Sequence, residues 1–273
     1  MELTVDVPNG SLFVEDIGDG PVVTLLHPGL WDNRTWDPQI QPLLDEGFRV
    51  IRYDQRGYGR SSLPETGVAY SHVRDLEAVL DAQGVERAAL VGCSMGGQLA
   101  IDATLTFPDR VWALVPVAAG LGGVESTREE DDWYTDIQAD FEEALDAGEL
   151  ERAQTILLER IWAPLGMNDP AGGKIRQIAM DNLQELTMDE SGAERLEPPA
   201  ARRLHEIDAP TLVVKAEADP PDMHRIGDLI AAGIPDARAT MIEGADHVVN
   251  LRQPARFDAA VIPFLLEHRP SIV

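Results

Sequence analysis

The stretch LVGCSMGGQLA (90–100) opens as an apolar strand and closes as a helix, with three glycines and one serine between. Three readings compete for Ser94: a nucleophile raised on a sharp turn, a small residue serving as a helix N-cap, or one member of a phosphate cradle. Its setting is Gly92–Cys93–Ser94–Met95–Gly96, a G-x-S-x-G placed directly after a strand and directly before a helix. A residue on a strained strand-to-helix turn crowds its neighbours two positions either side, so glycine is needed at both. Such a turn pushes the hydroxyl into a cleft and aims the Met95 amide and the helix N-terminus at any anion forming there. The cradle reading fails on spacing, which is neither G-x-G-x-x-G nor G-x-x-x-x-G-K-[ST], and no lysine follows.

Outward from this turn the chain alternates between strands and helices. VVTLLH (22–27), FRVIRYD (48–54), RAALVGC (87–93) and RVWALVPVAA (110–119) are apolar enough for buried parallel strands. TVDV and LFVEDI (4–7 and 12–17) predict an opening hairpin around Pro8–Asn9–Gly10. Residues 71–84 place Val73, Leu76, Val79 and Leu80 on one helical face and stop at Gly84. The alternation breaks over 121–205, a helical stretch with 20 acids against 8 bases, a net of −12. It then resumes with TLVVKAE (211–217), a helix near 222–232, ARATMIEG (237–244) and a last helix near 254–267. The pattern predicts a doubly wound, mostly parallel α/β sheet interrupted by an acidic helical insertion. Chemistry in such sheets sits at the carboxyl ends of the strands.

Bulk properties narrow the possible functions. A chain of 273 residues suits one large domain, or a core with an insertion. Its net charge of −26 argues against nucleic acid, which needs a basic footprint, and against anionic membrane surfaces. The N-terminus MELTVDVPNG has no basic or apolar leader region. The longest apolar run, 111–123, is too short to span a bilayer. A single cysteine, Cys93, excludes an internal disulfide and fits a reducing compartment, so the cytoplasm is expected.

A serine hydroxyl is a poor nucleophile without a base. Of the six histidines, His247 follows a predicted strand on a loop ahead of the last helix, where Ser94 requires a base. An acid must orient that base. Asp219, just past TLVVKAE, is the leading candidate, with Asp222, Glu217 and Glu125 as alternatives. The loop His27–Pro28–Gly29–Leu30–Trp31 offers an oxyanion donor beside that of Met95. Pro28 has no N–H, so the donor is Gly29 or Leu30, with Gly29 favoured. His27 reads as a residue that shapes this loop. Leu30, Trp31, Trp133 and Trp162 are candidates to line a substrate pocket, with Tyr134, Phe141, Met167 and Met180. At helical spacing the residues of the insertion are more often plain core.

The order Ser94, Asp219, His247, together with HPGL (27–30) and YDQRGYGRS (53–61), resembles the α/β-hydrolase superfamily, and within it the cytosolic carboxylesterases and enol-lactonases. The resemblance covers nearly the whole chain. It implies a core of residues 1–120 and 206–273 and a helical cap, 121–205, inserted after the sixth strand. Asp54, Arg56, Gly57, Gly59 and Ser61 would be scaffold. Two departures stand out. Proline follows His27 where the family commonly has glycine. Asp246 precedes the histidine where glycine is frequent, and its carboxylate is expected to point to solvent rather than to act on the base.

The resemblance implies a serine hydrolase of a carboxylic ester or lactone, with no metal or organic cofactor, acting on a small molecule as a monomer or homodimer. A C–C hydrolase of a vinylogous diketone would use the same triad, and a ligand-binding or signalling protein could use the same fold. The acidic insertion weakly disfavours carboxylate-bearing substrates unless Arg128, Arg160 or Arg176 reverses that locally.

Overall fold

The computed structural model describes residues 1–270. Eight strands, β1 (Glu2–Val7), β2 (Gly10–Ile17), β3 (Val22–Leu26), β4 (Arg49–Tyr53), β5 (Ala88–Cys93), β6 (Val111–Val117), β7 (Leu212–Ala216) and β8 (Arg238–Ile242), form one sheet in the order β1-β2-β4-β3-β5-β6-β7-β8. The opening hairpin pairs Val7 with Gly10 and Glu2 with Glu15, and Asn9 takes the left-handed conformation its turn requires (φ 59°). β2 runs antiparallel to β4, and every pairing from β4 to β8 is parallel.

Every residue of β3, β5 and β6 is buried, as helices on both faces of a sheet demand. Because side chains alternate along a strand, the sheet has two separate core layers. Leu26, Leu90 and Leu114 face a layer that takes in Leu76 of α2 (His72–Ala82), Leu99 of α3 (Met95–Thr106) and Ile230 of α7 (Pro221–Gly233). Leu25, Val91 and Val115 face the opposite layer, with Leu43 of α1 (Asp37–Asp45) and Phe257 and Phe264 of α9 (Pro254–His268). α1 carries two prolines, Pro38 and Pro42, and only a short apolar stripe, so its helical pattern is faint in the sequence.

Pro116 lies inside the central strand β6, where proline is uncommon because it cannot donate to a ladder. The β6–β7 junction is correspondingly sparse: Val117 pairs with Val214, and a single bridge joins Leu114 to Thr211.

Between β6 and β7 the regular elements are helical: α4 (Arg128–Asp146), α5 (Leu150–Leu157), a π-helical turn (Leu158–Trp162), α6 (Pro170–Met180) and short 3₁₀ turns. Thr127 and Glu130 start α4 with a capping box, and Asp169 caps α6 through the Gly172 N–H. A third apolar layer joins this segment to the core through Leu158, Ile175, Ile178, Trp31 and Leu251. Among the described residues no helix is long and apolar enough to cross a membrane.

The chain winds from β3 outward to β4 and then returns to place β5 on the other side of β3. The reversal leaves a crevice at the carboxyl ends of these strands. The loops after β3, β5, β7 and β8 all leave from that edge.

Candidate active site

Ser94 joins β5 to α3 with φ 52° and ψ −114°, a conformation that costs an L-residue of order 1–3 kcal/mol. The turn closes through the Ser94 N–H on the Val117 carbonyl (2.9 Å) and the Gly120 N–H on the Ser94 carbonyl (3.1 Å). The flanking glycines are sterically required. A Cβ on Gly92 would overlap the Gly96 carbonyl, and one on Gly96 would overlap the carbonyls of Leu26 and His27. The elbow therefore presses its backbone against the end of β3, which brings the loop 27–31 beside it.

In that loop His27 is fully buried. Its Nε2 accepts the Gln55 N–H (2.8 Å), so Nδ1 carries the proton and donates to the Pro28 carbonyl (2.8 Å). Burial holds His27 below its ordinary pKa, partly offset by the Asp54 charge, and the residue is a structural strut. Gly29 faces Met95 and Tyr58: a Cβ there would lie 3.7 Å from the Tyr58 hydroxyl and 4.0 Å from the Met95 Sδ. Leu30 holds a left-handed backbone (φ 68°). Met95 occupies the first position of α3, where helical amides have no intrahelical partner.

The loops after β7 and β8 are laced together. The Ala218 N–H donates to the Ala245 carbonyl (2.9 Å), the Glu217 N–H to the Ile242 carbonyl (3.2 Å), and the Gly244 N–H to the Glu217 carboxylate (2.8 Å). That lacing places Asp219 Oδ1 2.8 Å from His247 Nδ1, with both side chains no more than 3% exposed. Glu217 is thereby occupied in holding the loop, and Asp222 accepts the Tyr134 hydroxyl (2.8 Å). With Nδ1 on Asp219, Nε2 is the nitrogen left for chemistry. The Cys93 thiol, whose ionisation burial strongly disfavours, lies 3.4 Å from the His247 carbonyl and ties this loop to the strand that carries Ser94.

Asp246 does not point to solvent. It is fully buried and ion-paired with Arg252 of α8 (Val249–Arg252) at 2.7 and 3.1 Å. Burial raises its pKa and the Arg252 charge offsets part of that rise. Arg252 extends to the Gly166 carbonyl (2.9 Å) and the Asp169 carboxylate (3.3 Å), so it also fastens the helical segment to the histidine loop. The sequence offers no hint of this pairing, because the partner lies six positions on along a helix of four residues.

A cleft of about 470 Å³ opens beside Ser94, lined by Met95, Gln98, Leu99 and Asp102 on α3 and by Arg74 and Arg195 across from them. Ser94, Gln98 and Asp102 share one face of α3 at helical spacing, a signal present in the sequence but easily passed over. None of the eight side chains considered for the pocket lines this cleft. Trp31 is 1% exposed and its indole N–H is bonded to the Ile175 carbonyl (2.9 Å), and Leu30 packs in the same layer. Trp133 is 38% exposed on α4, edge-on to Tyr134. Trp162 lies over the His247 ring.

The pattern of the alpha/beta hydrolase fold family matches residues 22–254. The chain is 28% identical over 271 residues to the 2-hydroxy-6-oxononadienedioate/2-hydroxy-6-oxononatrienedioate hydrolase of Paraburkholderia phymatum, covering 92% of this chain and 89% of that one. Among solved structures it is similar to Est816, described as an N-acyl homoserine lactone degrading enzyme: identity is 25%, TM-score 0.75, with 96% of this chain and 100% of that chain covered. A thermophilic esterase from Thermogutta terrifontis shares the fold at 24% identity and TM-score 0.79, with 99% and 100% covered. The matched stretch runs from the first parallel strand to the start of the last helix and takes in Ser94, Asp219 and His247; by that extent, the chain belongs to the alpha/beta hydrolase fold family.

Proposed function

We propose that the protein is a serine hydrolase that cleaves a carboxylic ester or lactone through an acyl-enzyme. His247 Nε2 takes the Ser94 hydroxyl proton as Oγ forms its bond to the substrate carbonyl carbon. Asp219 holds the imidazole with its proton on Nδ1 and stabilises the cation that forms. The amides of Met95 and Gly29, or of Leu30 in place of Gly29, hold the tetrahedral oxyanion. The carbon–oxygen bond to the alcohol breaks as His247 returns the proton to it. Water, deprotonated by the same imidazole, then releases the acid. The observation that carries this reading is the buried 2.8 Å contact between Asp219 and His247, on the sheet edge where Ser94 occupies a strained strand-to-helix turn.

The test needs no knowledge of the substrate. A fluorophosphonate probe followed by peptide mapping should label Ser94, and Ser94→Ala should abolish both labelling and turnover of a short-chain aryl ester. Labelling elsewhere, or full activity in Ser94→Ala, refutes the assignment.

A second reading, hydrolysis of a C–C bond in a vinylogous diketone on the same three residues, is favoured by the identity to the oxononadienedioate hydrolase over 92% of this chain. Turnover of a coloured ring-fission product with negligible ester hydrolysis would select it. For substrate charge, two of the three arginines considered in the insertion are paired with carboxylates, Arg128 with Asp132 and Arg160 with Asp140, and in the cleft Arg74 and Arg195 are outnumbered by Asp102, Glu194 and Glu197. Neutral esters should therefore be turned over faster than anionic ones, and the reverse preference would refute this.

A further inference from the structure

We infer that Trp162 is a positioning residue for the His247 imidazole, an inference that rests on His247 being the base proposed above. Asp219 fixes one ring nitrogen at 2.8 Å, but a ring held at one atom can still pivot about that contact. Trp162 restrains both the backbone and the ring. Its carbonyl accepts the His247 backbone N–H (3.3 Å), which fixes the loop, and its indole lies against the imidazole with ring centroids 4.3 Å apart and planes 39° from one another, which opposes the pivot. The separation is within the range at which an aromatic face attracts a cation, so the indole also favours the imidazolium formed during turnover.

The backbone that delivers this side chain is unusual. α5 runs directly into the π turn Leu158–Trp162, closed by the Ala163 N–H on the Leu158 carbonyl (2.7 Å). Such turns are rare and concentrate at functional sites, where they re-aim a side chain. Trp162 is also not a core residue of its layer. Leu158, Ile175 and Ile178 fill the interior, while Trp162 is half-buried at the rim above the histidine. Arg252 clamps the neighbouring Asp246 to Gly166 and Asp169 just beyond the same turn, so the helical segment grips residues 246 and 247 independently.

The test compares full-length Trp162→Leu, Trp162→Met and Trp162→Phe with wild type. Three readouts apply: the low-field Nδ1–H proton resonance of His247, assigned by its loss in His247→Gln; the rate of fluorophosphonate labelling at Ser94; and kcat against KM on an aryl ester. Trp162→Leu should slow labelling and kcat roughly tenfold, the cost of a loosely held catalytic group, with KM moved less than about twofold. Its Nδ1–H signal should broaden through exchange with solvent. Trp162→Phe, which keeps an aromatic face, should stay within about threefold of wild type. Trp162→Met fills the volume without a ring and decides the matter if the leucine variant does not fold. Wild-type labelling, kcat and Nδ1–H signal in a folded leucine or methionine variant overturn this inference alone, whereas failure of wild-type Ser94 to label overturns the hydrolase reading beneath it.

Discussion

Replacing Arg252 by methionine should leave the fully buried Asp246 carboxylate without its counter-ion. The guanidinium is itself only 4% exposed and donates at 2.7 and 3.1 Å. Breaking one side of a buried pair costs about 3–5 kcal/mol, mostly as desolvation of the stranded charge. For a chain of this size that corresponds to a fall in melting temperature of about 10 °C. The loss must also depend on pH. Burial already holds the Asp246 pKa above its ordinary value, and removing Arg252 deletes the largest factor opposing that rise. A carboxyl whose folded pKa lies above its unfolded one destabilises the fold only as it ionises. The deficit should therefore be small near pH 4 and grow as the pH rises towards 8. Arg252→Met combined with Asp246→Leu removes both charges and should return to within about 1.5 kcal/mol of wild type, since an apolar pair of similar volume replaces a buried ion pair at little cost. Urea unfolding of wild type, Arg252→Met, Asp246→Leu and the double variant at pH 5 and pH 8 completes the cycle. Equal losses in the single and double variants, with no pH dependence, would refute the reasoning.

Three further outcomes follow from positions already described. Burial raises the Asp102 carboxyl from its ordinary value near 3.8 to about 6, and its Oδ1 has no hydrogen-bond partner among the described residues. Its ionisation in the fold costs stability that is absent below pH 4 and complete above pH 7, so Asp102→Asn should stabilise by about 1–3 kcal/mol at pH 8 and be neutral at pH 4 by urea titration. Ser94→Gly relieves the turn at φ 52° while adding some unfolded-chain entropy; calorimetry should show a gain of about 0.5–2 kcal/mol together with loss of turnover, and a destabilised variant would count against strain at this residue. Trp31→Phe deletes the donor to the Ile175 carbonyl and should cost about 1–3 kcal/mol by urea unfolding, with no effect if that contact is incidental.

Much of the scaffold was legible because its signals are local. The central strands announce themselves by unbroken apolar runs, and the elbow by glycines whose Cβ atoms would collide with the elbow's own backbone at Gly92 and with the end of β3 at Gly96. α1 was not legible, since Pro38 and Pro42 dilute its periodicity. What escaped at the site depends on partners far apart in sequence or hidden by a short element. The fate of Asp246 is decided by Arg252, and the roles of Trp31 and Trp162 by contacts with Ile175 and His247. Aromatic residues at helical spacing say that something will be covered; only the packing of the helical segment says what.

The hydrogen bonds between the loops after β7 and β8 make Asp219 and His247 parts of one small rigid unit, while Ser94 is anchored to β5, on the far side of β6. Between these units runs the strand whose Pro116 leaves the seam to β7 thinly stitched. Gentle warming should loosen that seam first and let the alcohol and the imidazole drift apart while the imidazole–carboxylate contact survives. Reactivity at Ser94 would then fade several degrees before the chain loses its far-ultraviolet dichroism.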